Sequence, residues 1–177
     1  LVERELPVVA AIARAGQTLH RHGDLRFAVF PRQSGRAPEF DSGQTLEWMG
    51  RFIGRIHAVG STQKYAHRLT LDVQTYGELP GEFVLACSHL PEDLREAYRS
   101  ALQAALAGVR ESFERVGEVR QLCLHGDCHP GNVLWTDLGP HFVDFDDSCT
   151  GPAVQDLWML LSGERGEMTR QLCDLLA

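Results

Sequence analysis

The stretch His125-Gly126-Asp127-Cys128-His129-Pro130-Gly131-Asn132, followed twelve residues after Asn132 by Asp144, limits the fold of this chain more than any other feature. Its glycines and proline break regular structure. Two short apolar runs come next, Val133–Trp135 and His141–Val143, around a Gly139-Pro140 turn signal. Paired as a hairpin centred on Leu138, these runs set Asn132 directly opposite Asp144, and opposed residues lie roughly 4.5–5.5 Å apart at Cα. An amide oxygen and a carboxylate placed in that way can share Mg²⁺, a cation that takes oxygen ligands. Asp127 enters the same end of the hairpin with a carboxylate left to orient a hydroxyl. A positioned nucleophile and metal-neutralised phosphates are the chief needs of phosphoryl transfer.

The rest of the chain reads as ordinary globular sequence. It has 177 residues, 44% hydrophobic and 23% charged, enough for one domain with a sizeable core. Its net charge of -7, without a basic cluster, argues against nucleic acid or an anionic membrane as partner. No apolar run is long enough to span a bilayer. Five cysteines without CxxC spacing fit a reducing cytoplasm. The start, LVERELPVVA, lacks the basic region of a secretory signal.

Pro7–Ala15, rich in Ala, predicts a short helix ending at Gly16. Gln17–Arg21 and Leu25–Phe30 predict two strands joined by His22-Gly23-Asp24, the second stopped by Pro31. Pro31–Phe40 reads as a connector. Asp41 or Ser42 caps a helix whose face is Leu46, Met49, Phe52, Ile53 and Ile56, with Gly60 as its stop. Ser61–Leu90 has no clear pattern. A long helix is predicted from Pro91 to Val116, with the stripe Leu94, Tyr98, Leu102, Leu106, Val109 and Phe113. Glu118–Leu124 predicts a strand. Thr150-Gly151-Pro152 opens a predicted buried helix through Leu161.

Together these residues resemble a known family. H-G-D-x-x-x-x-N, a hydrophobic strand and V-D-F-D are similar to the catalytic and metal loops of the aminoglycoside-phosphotransferase branch of the protein-kinase-like fold. HGDCHPGNVLW, FVDFDD and GPAVQDLWMLL together are similar to the bacterial stress-response Ser/Thr kinase family of the RdoA type, and FAVFP at Phe27–Pro31 resembles its hinge. The resemblance implies an α+β, protein-kinase-like fold: a remnant of the small β lobe and hinge over 1–31, and the core of the helical large lobe over 32–177. It implies that Asp127 accepts the proton of the acceptor hydroxyl and that Asn132 and Asp144 ligate Mg²⁺. His125 would support the loop from below. Phe27, Ala28, Val29 and Phe30 would offer backbone groups to adenine. Asp156, inside the buried helix, would accept hydrogen bonds from the loop backbone. His129 stands where many protein kinases place a phosphate-facing lysine, and is expected to contact the γ-phosphate.

The implied reaction is ATP- and Mg²⁺-dependent transfer to Ser or Thr of a protein in a bacterial stress response, by a cytoplasmic monomer. A small-molecule acceptor such as an aminoglycoside, homoserine or choline is the alternative. One departure bears on activity. Nothing before Phe27 matches the fold's glycine-rich loop and phosphate-binding lysine, and Lys64, the one lysine among 17 basic residues, lies on the wrong side of the hinge. With no initiator Met, and a last residue, Ala177, that falls inside what reads as a helix, the chain is expected to be a piece of a longer protein, inactive alone and lacking the helices that normally follow.

Two readings from other classes stand beside this one. His125, Asp127 and His129 alternate and on a strand would share a face able to bind zinc, as in a metal-dependent hydrolase. A non-catalytic, pseudokinase-like binding module would explain the missing lysine. Asp146 and Asp147 read as turn caps, Cys128 as inert filler, and Trp48, Trp135 and Trp158 as core.

Overall fold

Helix α1, Gly43–Gly60, organises the core. Leu46, Met49, Ile53 and Ile56 recur at helical spacing and are all buried. They meet Val133, Phe142, Leu160 and Leu175 in the main cluster. The computed structural model describes residues 1–40 and 43–177, so the expected cap at Asp41 or Ser42 lies outside the described residues.

The N-terminal region is extended. A single turn of 3₁₀ helix covers Val2–Arg4. The helix expected over Pro7–Ala15 is absent, because these residues bond elsewhere. The Pro7 carbonyl accepts from Phe142 N, Val9 N donates to the Phe142 carbonyl, and Ile12 N donates to the Val29 carbonyl. Those tertiary partners outweigh the weak local preference of the alanines. Strands β1, His20–His22, and β2, Leu25–Phe27, form the expected hairpin with shifted bounds: β1 starts at His20 and takes His22 out of the expected turn, and β2 ends at Phe27 and not at Phe30.

Residues 61–90, unpatterned in the sequence, contain a π-helical turn over Gln74–Glu78 and helix α2, Leu79–Ala86. The long helix is α3, Glu92–Val116, preceded by Pro91 and closed at Gly117. Its stripe is only half covered: Tyr98, Leu102, Leu106 and Phe113 are partly buried, while Leu94 and Val109 face solvent.

Strand β3, Gln121–Cys123, leads into the motif. Strands β4, Val133–Thr136, and β5, Gly139–Phe142, follow it as an antiparallel pair. Their register corrects the expected one. Val133 pairs with Phe142 and Thr136 with Gly139, so the loop is Asp137-Leu138 and Gly139-Pro140 belongs to β5. The hairpin centre therefore lies between Asp137 and Leu138. Val143, not Asp144, stands across from Asn132, and Val143 N donates to the Asn132 carbonyl at 3.0 Å.

The buried helix expected from Thr150 to Leu161 is also replaced. Thr150–Pro152 is strand β6, antiparallel to β3, and two 3₁₀ turns follow, Ala153–Asp156 and Trp158–Leu160. Pairing of Cys123 with Thr150 and of Gln121 with Pro152 holds the segment extended where a helix would start. Trp158 is 55% exposed and Trp48 is 39% exposed, so neither is the core residue that the sequence predicts. Helix α4, Arg165–Leu175, then packs on α1, its start fixed by a Glu164/Glu167 capping box. Among the described residues no helix is long and apolar enough to cross a membrane.

Candidate active site

The motif loop is built on a buried carboxylate. Asp156, 1% exposed, accepts from Gly126 N at 2.8 Å through Oδ1. Its Oδ2 accepts from His125 N at 3.0 Å and from His57 Nε2 at 2.8 Å. A buried charge needs such donors to be tolerated. Asp156 thus bonds the loop backbone as the resemblance implied, but from a 3₁₀ turn and not from inside a helix. Neighbouring Gln155 adds a bond from Nε2 to the Gly126 carbonyl at 2.9 Å.

Gly126 makes the turn possible. Its φ is +92°, and a Cβ there would lie 2.0 Å from the Asp147 carbonyl oxygen. His125 is buried beneath the loop against Phe145, with ring centroids 4.4 Å apart. Its Nε2 donates to the Val143 carbonyl at 2.8 Å, and its Nδ1 accepts from Asp127 N at 3.3 Å. Both ring nitrogens are engaged, which leaves none for zinc. Among the described residues no group of three or more His, Cys, Asp and Glu is arranged to hold a metal ion.

Asp127, Asn132 and His129 come together above this base. Asn132 Nδ2 donates to the Asp127 carbonyl oxygen at 2.9 Å and to its Oδ2 at 3.0 Å. The 3₁₀ turn Pro130–Asn132 aims the amide, and His129 caps that turn by accepting Gly131 N on Nδ1 at 3.0 Å. His129 Nε2 then sits 3.6 Å from Asp127 Oδ2.

Asp144 lies one residue beyond Val143, which is bonded to both His125 and Asn132. Its φ of +60° lies in the left-handed region, so the chain turns where the hairpin ends. Asp144 lines a cleft of about 330 Å³ with Val9, Phe30, Pro31, Leu134 and Val143. Of the four hinge candidates, Phe30 reaches this cleft. The Val29 carbonyl is taken by Ile12 N, Phe27 sits against His20 on the exposed hairpin, and Ala28 leads out of β2.

The donor chemistry fits a hard divalent cation. Both Asn132 amide hydrogens are spent on Asp127, which leaves Oδ1 as an oxygen donor. The Asp144 carboxylate takes no hydrogen bond or ion pair from the described residues. Cys128 is buried beside these groups. Burial, and then the charges of Asp156 and Asp127, push its thiol far above its ordinary value near 9, so it stays protonated.

His57 is the site residue that sequence reasoning missed. Its signal was its place four residues after buried Ile53, on the same face of α1. Gly60 ends α1 so close to β3 that a Cβ would lie 2.1 Å from the Cys123 carbonyl oxygen, which seats His57 under the loop.

Comparison with known proteins gives consistent results. A family model described as the phosphotransferase enzyme family matches residues 1–176. Stress response kinase A of Escherichia coli K12 is 43% identical over 172 residues, which is 97% of this chain and 52% of that protein. The serine/threonine protein kinase RdoA of Salmonella typhimurium LT2 is 40% identical over the same shares. The chain spans about half the length of the curated relatives it matches. Among solved structures, amicoumacin kinase hAmiN in complex with AMP-PNP, Ca²⁺ and Ami superposes with a TM-score of 0.72 at 16% identity, over 99% of this chain and 56% of that one. Aminoglycoside phosphotransferase APH(3'')-Id from Streptomyces rimosus, with ADP and streptomycin, gives 0.66 at 16%, over 98% and 69%. These likenesses show the α+β, protein-kinase-like fold that the motifs implied.

Proposed function

As the chain belongs to the phosphotransferase enzyme family, we propose that it carries the catalytic and metal loops of a kinase that moves the γ-phosphate of ATP to a hydroxyl. The observation that carries this reading is the Asn132 amide, which fixes the Asp127 carboxylate with its hydrogens while keeping an oxygen for a cation. Asp127 orients the acceptor hydroxyl and accepts its proton as the new O–P bond forms and the bond from the γ-phosphorus to the bridging oxygen breaks, releasing ADP. Asn132 Oδ1 and Asp144 are the oxygen donors that would hold Mg²⁺, which when bound would supply neutralising charge to the phosphates. His129 Nε2 faces the γ-phosphate, and His125 holds the loop from beneath. Adenine occupies the cleft between Phe30 and Leu134, against hinge backbone. Residues 1–31 act as small-lobe remnant and hinge, and 32–177 as the large-lobe core.

The acceptor is Ser or Thr of a protein in a bacterial stress response, a reading supported by the relatives at 40–43% identity that carry those names. A small-molecule hydroxyl is the second reading, favoured by the fold's likeness to structures containing amicoumacin and streptomycin. The reaction runs in the cytoplasm, where the five free thiols persist. The test is γ-labelled ATP with Mg²⁺ and the complete gene product, offered protein acceptors in one arm and aminoglycosides in the other. Label on protein Ser or Thr supports the first reading and label on the antibiotic the second. No transfer to any hydroxyl, with saturable nucleotide binding intact, points to a binding module and overturns both.

A further inference from the structure

The two loops of the site carry four carboxylates, Asp127, Asp144, Asp146 and Asp147. A field of that sign draws cationic acceptors and repels acidic ones. One neighbouring segment has the opposite sign. From Ser61 to Leu71 the chain holds no acid and three groups able to carry positive charge, Lys64, His67 and Arg68. All three are exposed, and none makes an ion pair with a described residue. The segment is strapped across the ends of both loops. Leu71 N donates to the Thr150 carbonyl at 2.7 Å, and Thr150 N to the Leu69 carbonyl at 2.9 Å. Arg68 Nη1 donates to the Asp146 carbonyl, and Tyr65 Oη to the Leu124 carbonyl at 3.4 Å. Asp147 follows Asp146 and packs on Gly126, next to Asp127. The strap therefore borders the place where an acceptor hydroxyl would meet Asp127. Arg68 spends its bond on a backbone carbonyl, which leaves the guanidinium charge unneutralised. An apolar face adjoins the strap. Tyr76, Leu79 and Phe83, 46%, 52% and 73% exposed, follow one another along the π-helical turn and α2. The Tyr76 side chain meets Cys149, beside the strapped Thr150, so the two surfaces join. A surface of that extent suits a polypeptide better than a small molecule.

We propose that this strap, through Lys64, His67 and Arg68, selects protein acceptors whose Ser or Thr stands beside carboxylates. The inference rests on the protein-acceptor reading above and narrows it to acidic segments. A flanking carboxylate pairs with the strap while the hydroxyl reaches Asp127. A polycationic aminoglycoside gains nothing from the strap. Exposed charge pairs are individually weak, so each contributes a preference of roughly twofold to fivefold, which salt screens.

The experiment offers the complete gene product, with Mg²⁺ and γ-labelled ATP, two Ser peptides that differ only in carrying Glu or Gln on either side of the serine. Wild type is expected to show a kcat/KM for the Glu peptide about fivefold or more above that for the Gln peptide, with the ratio falling towards one as salt rises. Lys64→Glu and Arg68→Glu are each expected to lower that ratio severalfold, through KM for the Glu peptide. Should Arg68→Glu fail to fold, Lys64→Glu and His67→Glu, at exposed positions, carry the same readout. A wild-type ratio of one or less would overturn the proposal. So would a ratio that the variants leave unchanged, including an equal loss on both peptides, which would make the strap a structural tie alone. A wild-type protein that labels no peptide sinks the acceptor reading instead. Fluorescence anisotropy of the two peptides, dye-labelled, on wild type and Lys64→Glu then still decides whether the strap prefers acid.

Discussion

The Asn132 amide bridges the backbone and the carboxylate of Asp127, at 2.9 and 3.0 Å. One side chain therefore serves both halves of the proposed chemistry, the acceptor side through nitrogen and the cation side through oxygen. Asn132→Asp separates them. It keeps an oxygen for Mg²⁺ but sets a carboxylate against Asp127 Oδ2, where an N–H stood. Mg²⁺-dependent nucleotide binding is expected to survive while kcat falls roughly 10²-fold or more. Asp144→Ala should do the reverse, erasing the gain in nucleotide affinity that Mg²⁺ confers. Calorimetric titration with and without Mg²⁺ checks both. Mg²⁺ dependence retained by Asp144→Ala, or lost in Asn132→Asp, would contradict these assignments.

Two glycines of α1 should respond with opposite sign. Gly54 is exposed, and a methyl group added there would meet nothing within 4 Å, so Gly54→Ala gains helix propensity and stabilises by about 0.5–1 kcal/mol. Gly60 abuts the Cys123 carbonyl, so Gly60→Ala forces α1 away from β3 and costs about 1–3 kcal/mol. Urea denaturation of the two variants measures the difference. Equal effects would mean that α1 does not dock on β3 as described.

Cys128 supplies a pH dependence. Its folded-state pKa is raised, by burial first and then by Asp156 and Asp127. The unfolded chain therefore releases this proton at lower pH than the folded one. The resulting stability is fully present below the ordinary thiol value near 9 and is lost progressively as pH rises above it. Urea midpoints taken from pH 7 to pH 10 or so should fall on the alkaline side, and less steeply in Cys128→Ala. Native iodoacetamide labelling should reach the exposed Cys173 and spare Cys128. Labelling of Cys128 in the folded protein would contradict its burial.

The legible parts were those in which one local rule and the tertiary structure agree. The α1 face, the span of α3 and the β1–β2 hairpin follow from spacing and turn residues. Asp127 was legible as entering the same end of the hairpin as Asn132, but the bonds between them were not, since the sequence pattern set Asn132 against Asp144. The illegible parts depend on partners distant in sequence. Pro7–Ala15 reads helical by composition, but its bonds to Phe142 and Val29 draw it straight. Thr150–Pro152 looks like a helix start until β3 claims it as a strand. The hairpin register turned on whether Gly139-Pro140 or Asp137-Leu138 forms the loop, and Thr136 decides it: its Oγ1 takes Leu138 N and donates to the Gly139 carbonyl, each at 3.1 Å. His57 carries no motif, and its value appears only when Asp156, 99 residues away, comes to meet it.

Replacement of one oxygen by nitrogen at Asp127 tests the account most directly. Asp127→Asn in the complete gene product keeps the side-chain shape and removes the group that takes the hydroxyl proton. Transfer of labelled γ-phosphate from ATP is expected to fall by about 10²–10⁴-fold, with nucleotide affinity within a few-fold of wild type. Transfer at the wild-type rate would contradict the assignment of this loop as the catalytic centre.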